Sequence, residues 1–369
     1  MFKKIAILLL TGSFLITGLG QPAVAQNSLP KEILDRINNY LDVEKEKYGI
    51  IGHSVAILKN GTLVYIGAGG LASLELNVKA TEKTVYQVFS LAKLFVHVTM
   101  MQLVESNKIE LDAPIGRYLT DLPETWKQIT VRQVMSHISG LPEYYRWPNP
   151  TPKTLLDALQ SVANKALEFK TGSATRYNQT NYLLLKMIIE EVTGLDFLSV
   201  VTTRMIDKIK LENTRYGGEY AVIPDRATTY RSTPTGLRRN GPIDQPDYMF
   251  ASSGLNSTAF DLALWFGALL KGKFISPETM DSMWQPLNLD DGTVAGFANG
   301  WEYSRYDGIT VVGHGGGNRV DVRHYFRESD NENVTIIYLT NGAEKDFWPG
   351  NVSAGLADII LFGAHPSQN

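Results

Sequence analysis

The chain has 369 residues, of which 44% are hydrophobic and 20% charged, with a formal net charge of −3. That is the composition of a soluble globular protein, and the absence of any basic run or low-complexity tract argues against a nucleic-acid partner and against extended disorder. Cysteine is absent, which excludes disulfides, cysteine nucleophiles, thiolate metal sites and lipid attachment through a cysteine.

The first residues read MFKKIAILLLTGSFLITGLGQPAVAQ. Lys3 and Lys4 precede a short apolar run, and Ala23-Val24-Ala25 is a small-residue cleavage pattern. Residues 1–25 are therefore expected to be a signal peptide cleaved after Ala25, which places the mature protein outside the cytoplasm, secreted or periplasmic. A membrane anchor would need about twenty apolar residues, and Thr11, Ser13, Thr17 and Gly18 interrupt this run.

From Lys31 to Tyr48, residues Ile33, Leu34, Ile37, Tyr40, Leu41 and Tyr48 fall near one face of a helix. HSVAILKNGTLVYIGAG follows, two alternating apolar runs joined by Asn60-Gly61, the dipeptide that a tight hairpin turn demands. Ser90 to Glu105 is apolar nearly all round, the mark of a central buried helix that ends at Asn107. From about Leu111 to Gly217 the pattern is mostly helical, broken by Pro114, Pro123, Pro142 and the WPNPTP cluster. Gly217 to Asp247 reads as loop, and a helix follows Ser257, with its apolar residues between Thr258 and Leu270.

Strands then return. NGWEYSRYDGITVVGHGG predicts a hairpin turning at Asp307-Gly308, and RHYFRESDNENVTIIYLTN a second one turning between Ser329 and Asn333. A last helix spans Gly350 to Phe362. The expected fold is α/β (α+β): an antiparallel sheet flanked by N- and C-terminal helices, with a mostly helical inserted domain. Residues 26–115 and 250–369 would form the discontinuous α/β domain and 116–249 the insert.

Three features carry candidate chemistry. The six histidines show no metal-ligand spacing, so no metal is expected. Gly52-His53-Ser54-Val55-Ala56 falls one residue short of a Gly-x-Ser-x-Gly elbow, and Ser54 would lie in a strand instead of on the sharp turn that elbow requires. FSLAKLF holds Ser90 three residues before Lys93, a pair that a chain of this size contains about once by chance; Ser28 and Lys31 make another. Ser90 and Lys93 share a helix face, and desolvation by Phe89 and Leu94 would lower the lysine pKa enough for it to activate the serine. The alternative makes Ser90 a helix cap and Lys93 a snorkelling surface residue.

Distant residues bear on that choice. Tyr177 stands immediately before a long amphipathic helix in RYNQTNYLLLKMIIEEVTG. His314 ends an apolar strand in VVGHGGGNRV, where glycines allow close approach of backbone to a ligand. In this order, Ser90/Lys93, Tyr177 with Gln179, and His314-Gly315-Gly316 resemble the Ser-x-x-Lys, Tyr-x-Asn and Lys/His-x-Gly motifs of the serine β-lactamase and penicillin-binding-protein superfamily. The similarity is greatest to its class C β-lactamase-like branch, with D,D-peptidases, D-aminopeptidases and esterases. LDAPIGRYLTDLP, ITVRQVMSHISGLPEY and SSGLNSTAFDLALW extend the resemblance to residues 30–362.

The resemblance implies a β-lactamase/transpeptidase-like fold and a serine hydrolase that forms an acyl-enzyme on Ser90, with no metal and no cofactor. Lys93 and Tyr177 would share the proton transfers, and His314 would support them. The N–H groups of Ser90 and Gly317 would form the oxyanion hole, while Gln179, Gly316 and Arg319 would contact the substrate. That substrate would be a β-lactam, a D-amino-acid peptide or an ester, a small molecule or peptide such as a cell-wall fragment. No integral membrane span is expected after signal cleavage. Two departures stand out: Gln179 replaces the motif asparagine, and NRVDVRH follows the glycines. Arg319 and Arg323 would either grip a substrate carboxylate or be solvated or paired with Asp321. His137 is expected to cap structure in the helical part. A binding or regulatory protein without turnover is the rival reading.

Overall fold

The structure, a computed structural model, describes residues 28–146, 150–218, 220–240, 245–327 and 332–362. The expected signal peptide lies outside the described residues, as do parts of the WPNPTP cluster and of the turn after Phe326.

The first helix, α1, runs Lys31–Tyr48 and stops at Gly49, whose φ of 62° suits the left-handed helix terminator. Strands β1 (Gly52–Lys59) and β2 (Thr62–Ser73) form the expected hairpin, with Asn60 and Gly61 at φ 52° and 69°. A two-residue strand, β3 (Val78–Lys79), extends that edge. Near the other end of the chain come β4 (Phe297–Ala298), β5 (Trp301–Tyr306), β6 (Ile309–Gly316), β7 (Val320–Phe326) and β8 (Asn333–Thr340). Asp307 and Gly308, at φ 49° and 76°, turn β5 into β6. The sheet order is β3-β2-β1-β8-β7-β6-β5-β4 and every pairing is antiparallel, so the two ends of the chain meet where β1 pairs with β8.

The pleat sends alternate residues to two cores. On one face Val55, Ile57, Ile336 and Tyr338 pack with Ile37 and Leu41 of α1 and with Val352, Leu356 and Ile359 of α5 (Pro349–Phe362). On the other, Ala56, Leu58, Ile337 and Leu339 join the larger core. At its centre is α2 (Ala92–Glu105), where every residue from Ala92 to Leu103 is buried, as a helix with no polar face must be.

Between α2 and β4 the regular structure is mostly helical, joined by long irregular stretches. α3 (Gln179–Thr193) starts at an Asn178 cap, and α4 (Ala259–Leu270) starts at a Thr258 cap. Gly217–Asp247 departs from the expected loop. It contains a small hairpin, Tyr230–Thr233 with Gly236–Arg239, and the segment just before it, Arg215–Tyr216, pairs with Leu255–Ser257, which also pairs with Tyr86–Gln87. Strands this short carry too little alternation to stand out against their Gly, Pro and Arg content.

Candidate active site

Ser90 lies at the larger core's edge, in a single 3-10 turn (Phe89–Leu91) that leads into α2. The expected helix thus begins one tight turn later than Ser90 itself. Phe89 holds a left-handed φ of 46°, a conformation costly for a bulky side chain and one that sets the direction of the next residue. Lys93, one helical turn on, is fully buried. Its Nζ stands 3.2 Å from Ser90 Oγ and donates to the Ser252 carbonyl at 2.7 Å. The same nitrogen lies over the rings of Tyr177 and Tyr182, 5.0 and 4.6 Å from their centroids.

Tyr177 arrives from the N-terminus of α3, and its hydroxyl donates to Ser90 Oγ at 2.8 Å. The peptide behind it is pinned: Asn178 N–H donates to His137 Nδ1 at 3.0 Å, and the Asn178 carboxamide donates to the Leu141 carbonyl at 2.7 Å. His137 therefore supports this helix start, its ring packed at a tilt against those of Tyr177 and Phe297. Gln179, the first residue of α3, gives its N–H to Glu143 at 2.7 Å, and its side chain reaches Tyr177.

The two hydroxyl partners of the serine are shifted apart. Desolvation holds Lys93 well below its usual range, with Glu143 and Glu302 pulling weakly the other way. Desolvation of its hydroxyl end raises Tyr177 above an ordinary phenol, although the residue as a whole is 39% exposed, against its hydrogen bonds with Ser90 and Gln179. Both shifts favour the uncharged form of the lysine and the protonated form of the tyrosine. A neutral amine that donates to the Ser252 carbonyl keeps a lone pair for the serine proton.

His314 closes the site from β6, its ring 5.7 Å from that of Tyr177. Burial pushes its pKa down to about 4. Nδ1 lies 2.5 Å from the Gly315 carbonyl, an acceptor only, so Nδ1 carries the proton. Nε2 is buried with no hydrogen-bond partner among the described residues. The glycines fit the serine turn closely: a Cβ on Gly316 would stand 2.6 Å from the Val88 carbonyl oxygen and 3.5 Å from Ser90 N, and one on Gly317 would meet the Phe89 ring at 3.1 Å. Behind them, Glu302 accepts from Gly315 N–H at 3.1 Å and from Arg323, which also donates to Asp321 at 2.9 Å. Burial works against the Glu302 charge, but the Arg323 guanidinium and the Gly315 N–H help to hold the carboxyl below its ordinary value.

The fold thus brings Ser90, Lys93, Tyr177, Gln179, His314, Gly316 and Gly317 to one place. Arg319 is engaged elsewhere: its guanidinium donates to Asp346 at 2.7 Å and stacks over Phe347. Ser54 sits inside β1, fully buried and hydrogen-bonded to Tyr86 and to the Thr81 carbonyl, so it is a structural residue. Lys31, of the other Ser-x-x-Lys pair, bridges to Asp35 on the surface of α1. Ser252, Glu302, Glu143 and Phe297 were not picked out by the sequence reading. Glu302 had only its place beside the glycine strand as a signal. Among the described residues no group of three or more His, Asp or Glu could hold a metal ion, and no helix is long and apolar enough to cross a membrane.

Comparison with known proteins places this geometry in context. The family model described as beta-lactamase matches residues 37–353. A teichoic acid D-alanine hydrolase of Staphylococcus aureus is 28% identical over 256 residues, 69% of this chain; the match spans 64% of that relative's length. Penicillin-binding protein 4* of Bacillus subtilis is 25% identical over 338 residues, 86% of this chain and 74% of the relative. In fold, the octameric penicillin-binding protein homologue from Pyrococcus abyssi superposes with a TM-score of 0.74 at 20% identity, covering 91% of this chain and 78% of that one. The D-amino acid amidase from Ochrobactrum anthropi gives 0.73 at 22% identity, covering 89% and 97%.

Proposed function

Because the chain belongs to the β-lactamase family, we propose that it is an exported serine hydrolase that cleaves amide or ester bonds through an acyl-enzyme on Ser90. The observation that carries this reading is the convergence on one hydroxyl: Ser90 Oγ has Lys93 Nζ at 3.2 Å and the Tyr177 hydroxyl at 2.8 Å. A structural serine has no use for a fully buried lysine held at that distance, because burying the amine costs several kcal/mol of desolvation or its proton.

Ser90 Oγ attacks the substrate carbonyl while its proton passes to neutral Lys93. The developing oxyanion is met by the N–H groups of Ser90 and Gly317. Collapse of the tetrahedral adduct breaks the bond to the leaving group, which takes a proton from Lys93 by way of Tyr177. Water then attacks the acyl-enzyme, giving its proton back along the same route, and Ser90 is released with the acid product. His314, held neutral with its proton on Nδ1, presents Nε2 as an acceptor beside Tyr177. Gln179 and Gly316 line the acyl site.

The substrate is a β-lactam, a D-amino-acid peptide or an ester. The names of the Staphylococcus aureus relative and of the amidase neighbour favour acyl groups of D-amino acids. Export rests on the leader pattern of residues 1–25, and N-terminal sequencing of the protein recovered outside the cytoplasm checks it. The catalytic reading is tested by steady-state hydrolysis of a penicillin, a D-alanyl peptide and a small ester. Turnover of at least one, lost in Ser90→Ala, is the expected result; equal rates in the variant refute it.

A further inference from the structure

The proton that Lys93 takes from Ser90 places a positive charge on a fully buried amine. The hydrogen bonds of that amine go to Ser90 Oγ and the Ser252 carbonyl, and among the described residues no carboxylate lies within ion-pair distance of it. Glu143 is taken by the N–H groups of Gln179 and Tyr145, and Glu302 by Arg323 and the Gly315 N–H. The histidines that face Lys93, namely His97 on α2, His137 before α3 and His314 on β6, are kept neutral at pH 7 by burial. A buried ammonium without a counter-charge is strongly disfavoured, so the transition state needs another stabiliser for it.

The remaining side of the amine is aromatic. Nζ lies over the Tyr182 ring, 4.6 Å from its centroid. Tyr182 is fully buried on α3, and its ring is locked in place. The hydroxyl is hydrogen-bonded to His97 Nε2 at 2.6 Å, and the His137 ring packs against it at 5.5 Å. His97 stands one helical turn beyond Lys93 and is wedged against Gly300, where a Cβ would meet its Nε2 at 2.1 Å. A ring face attracts an ammonium but gains little from a neutral amine. It therefore favours the state in which the proton has moved.

We propose that Tyr182 is a positioning residue for the chemical step: its ring face holds the ammonium that Lys93 becomes, and His97 holds the ring. This rests on the hydrolase reading above. As Oγ bonds to the substrate carbon, the carbonyl electron pair moves to oxygen and the Oγ proton passes to Nζ, over the ring. When Lys93 returns that proton to the leaving group by way of Tyr177, the attraction ends.

The test replaces Tyr182 by phenylalanine and then by mono-, di- and trifluorophenylalanine, introduced by codon suppression. Fluorine weakens the negative ring face step by step with little change of shape. For an ester that the wild type hydrolyses, kcat/KM against pH should fall by about tenfold from the phenylalanine to the trifluoro protein. Its acid limb should move to lower pH, because the lysine holds its proton less well. Tyr182→Leu, which removes the face, should lose at least as much; if it fails to fold, the fluorinated series decides alone. Equal rates and an unmoved limb across that series overturn the proposal and leave the hydrolase standing. A Tyr182→Phe protein as slow as the trifluoro one assigns the effect to the hydroxyl, and overturns it too. A wild type that turns over no ester, amide or β-lactam overturns both.

Discussion

The Tyr177 hydroxyl donates to Ser90 Oγ at 2.8 Å across 87 residues of sequence, joining the start of one helix to the turn that opens another. The tyrosine is raised and the lysine on the other side of the serine is lowered. Groups pushed apart in this way can exchange a proton through the hydroxyl between them. Tyr177→Phe removes the relay but keeps the ring packed against His137, Phe297 and His314. Its kcat should fall by about 10²–10⁴, with little change in KM or thermal stability, as measured by ester hydrolysis and melting of the same samples.

Lys93→Met should abolish turnover, with a loss of about 10³ or more, and also change how stability depends on pH. A lysine held well below its usual 10.5 binds a proton in the unfolded chain that it lacks in the folded one. Folded stability therefore rises as pH increases towards 10.5 and falls as pH drops. The methionine variant lacks that contribution, so its melting temperature should vary less with pH across the alkaline range. Parallel pH curves for the two proteins would show that Lys93 stays charged in the fold.

Acid should unfold this protein readily. Burial depresses all five histidines among the described residues: His53 and His314 to about 4, His324 to about 3, and His97 and His137 well below 6.5. Each takes up a proton on unfolding between its folded value and 6.5, so stability falls as pH drops through that window, at about 1.4 kcal/mol per pH unit per proton. Asp321, pushed up to about 6 by burial, works in the opposite sense, as do Glu143, Asp261 and Asp358, which burial also raises. Calorimetry should show the melting temperature falling steeply between pH 6.5 and 4.5. A flat profile would mean that the histidines are charged in the folded protein.

Gly316→Ala should damage the site more than the fold. The new methyl would press on the Val88 carbonyl oxygen, two residues before the serine. That contact is with backbone, which cannot swing aside as a side chain can. Catalysis should fall by about 10²-fold, as displacements of about 1 Å do, while Ala at a β conformation of φ −129° costs little in backbone strain. Unchanged kcat/KM would show that β6 does not fix the serine turn.

The sequence made the scaffold readable where chemistry and period coincide. Asn60-Gly61 and Asp307-Gly308 announce their turns because both residues need positive φ. α2 announces itself because it has no polar face. Ser90, Lys93, Tyr177 and His314 could be grouped only through motif order, since nothing local ties residue 90 to residue 314. The Ser252 contact was invisible, because any residue type offers a carbonyl to Lys93. Glu302 in WEYS looks like an ordinary edge-strand residue, and its bond to Gly315 depends on where β5 happens to stop. The partner of Arg319 was not legible, because Asp346 lies 27 positions away, beyond any sequence pattern.

The most direct test of the account is the intact mass of the protein after treatment with a fluorophosphonate, followed by mapping of the modified peptide, with Ser90→Ala alongside. The account predicts one adduct on the wild type, located at Ser90 and absent from the variant. A folded wild type that gains no mass, or an adduct that persists in Ser90→Ala, would contradict it and leave the chain a binding protein on a hydrolase scaffold or a hydrolase with a different nucleophile.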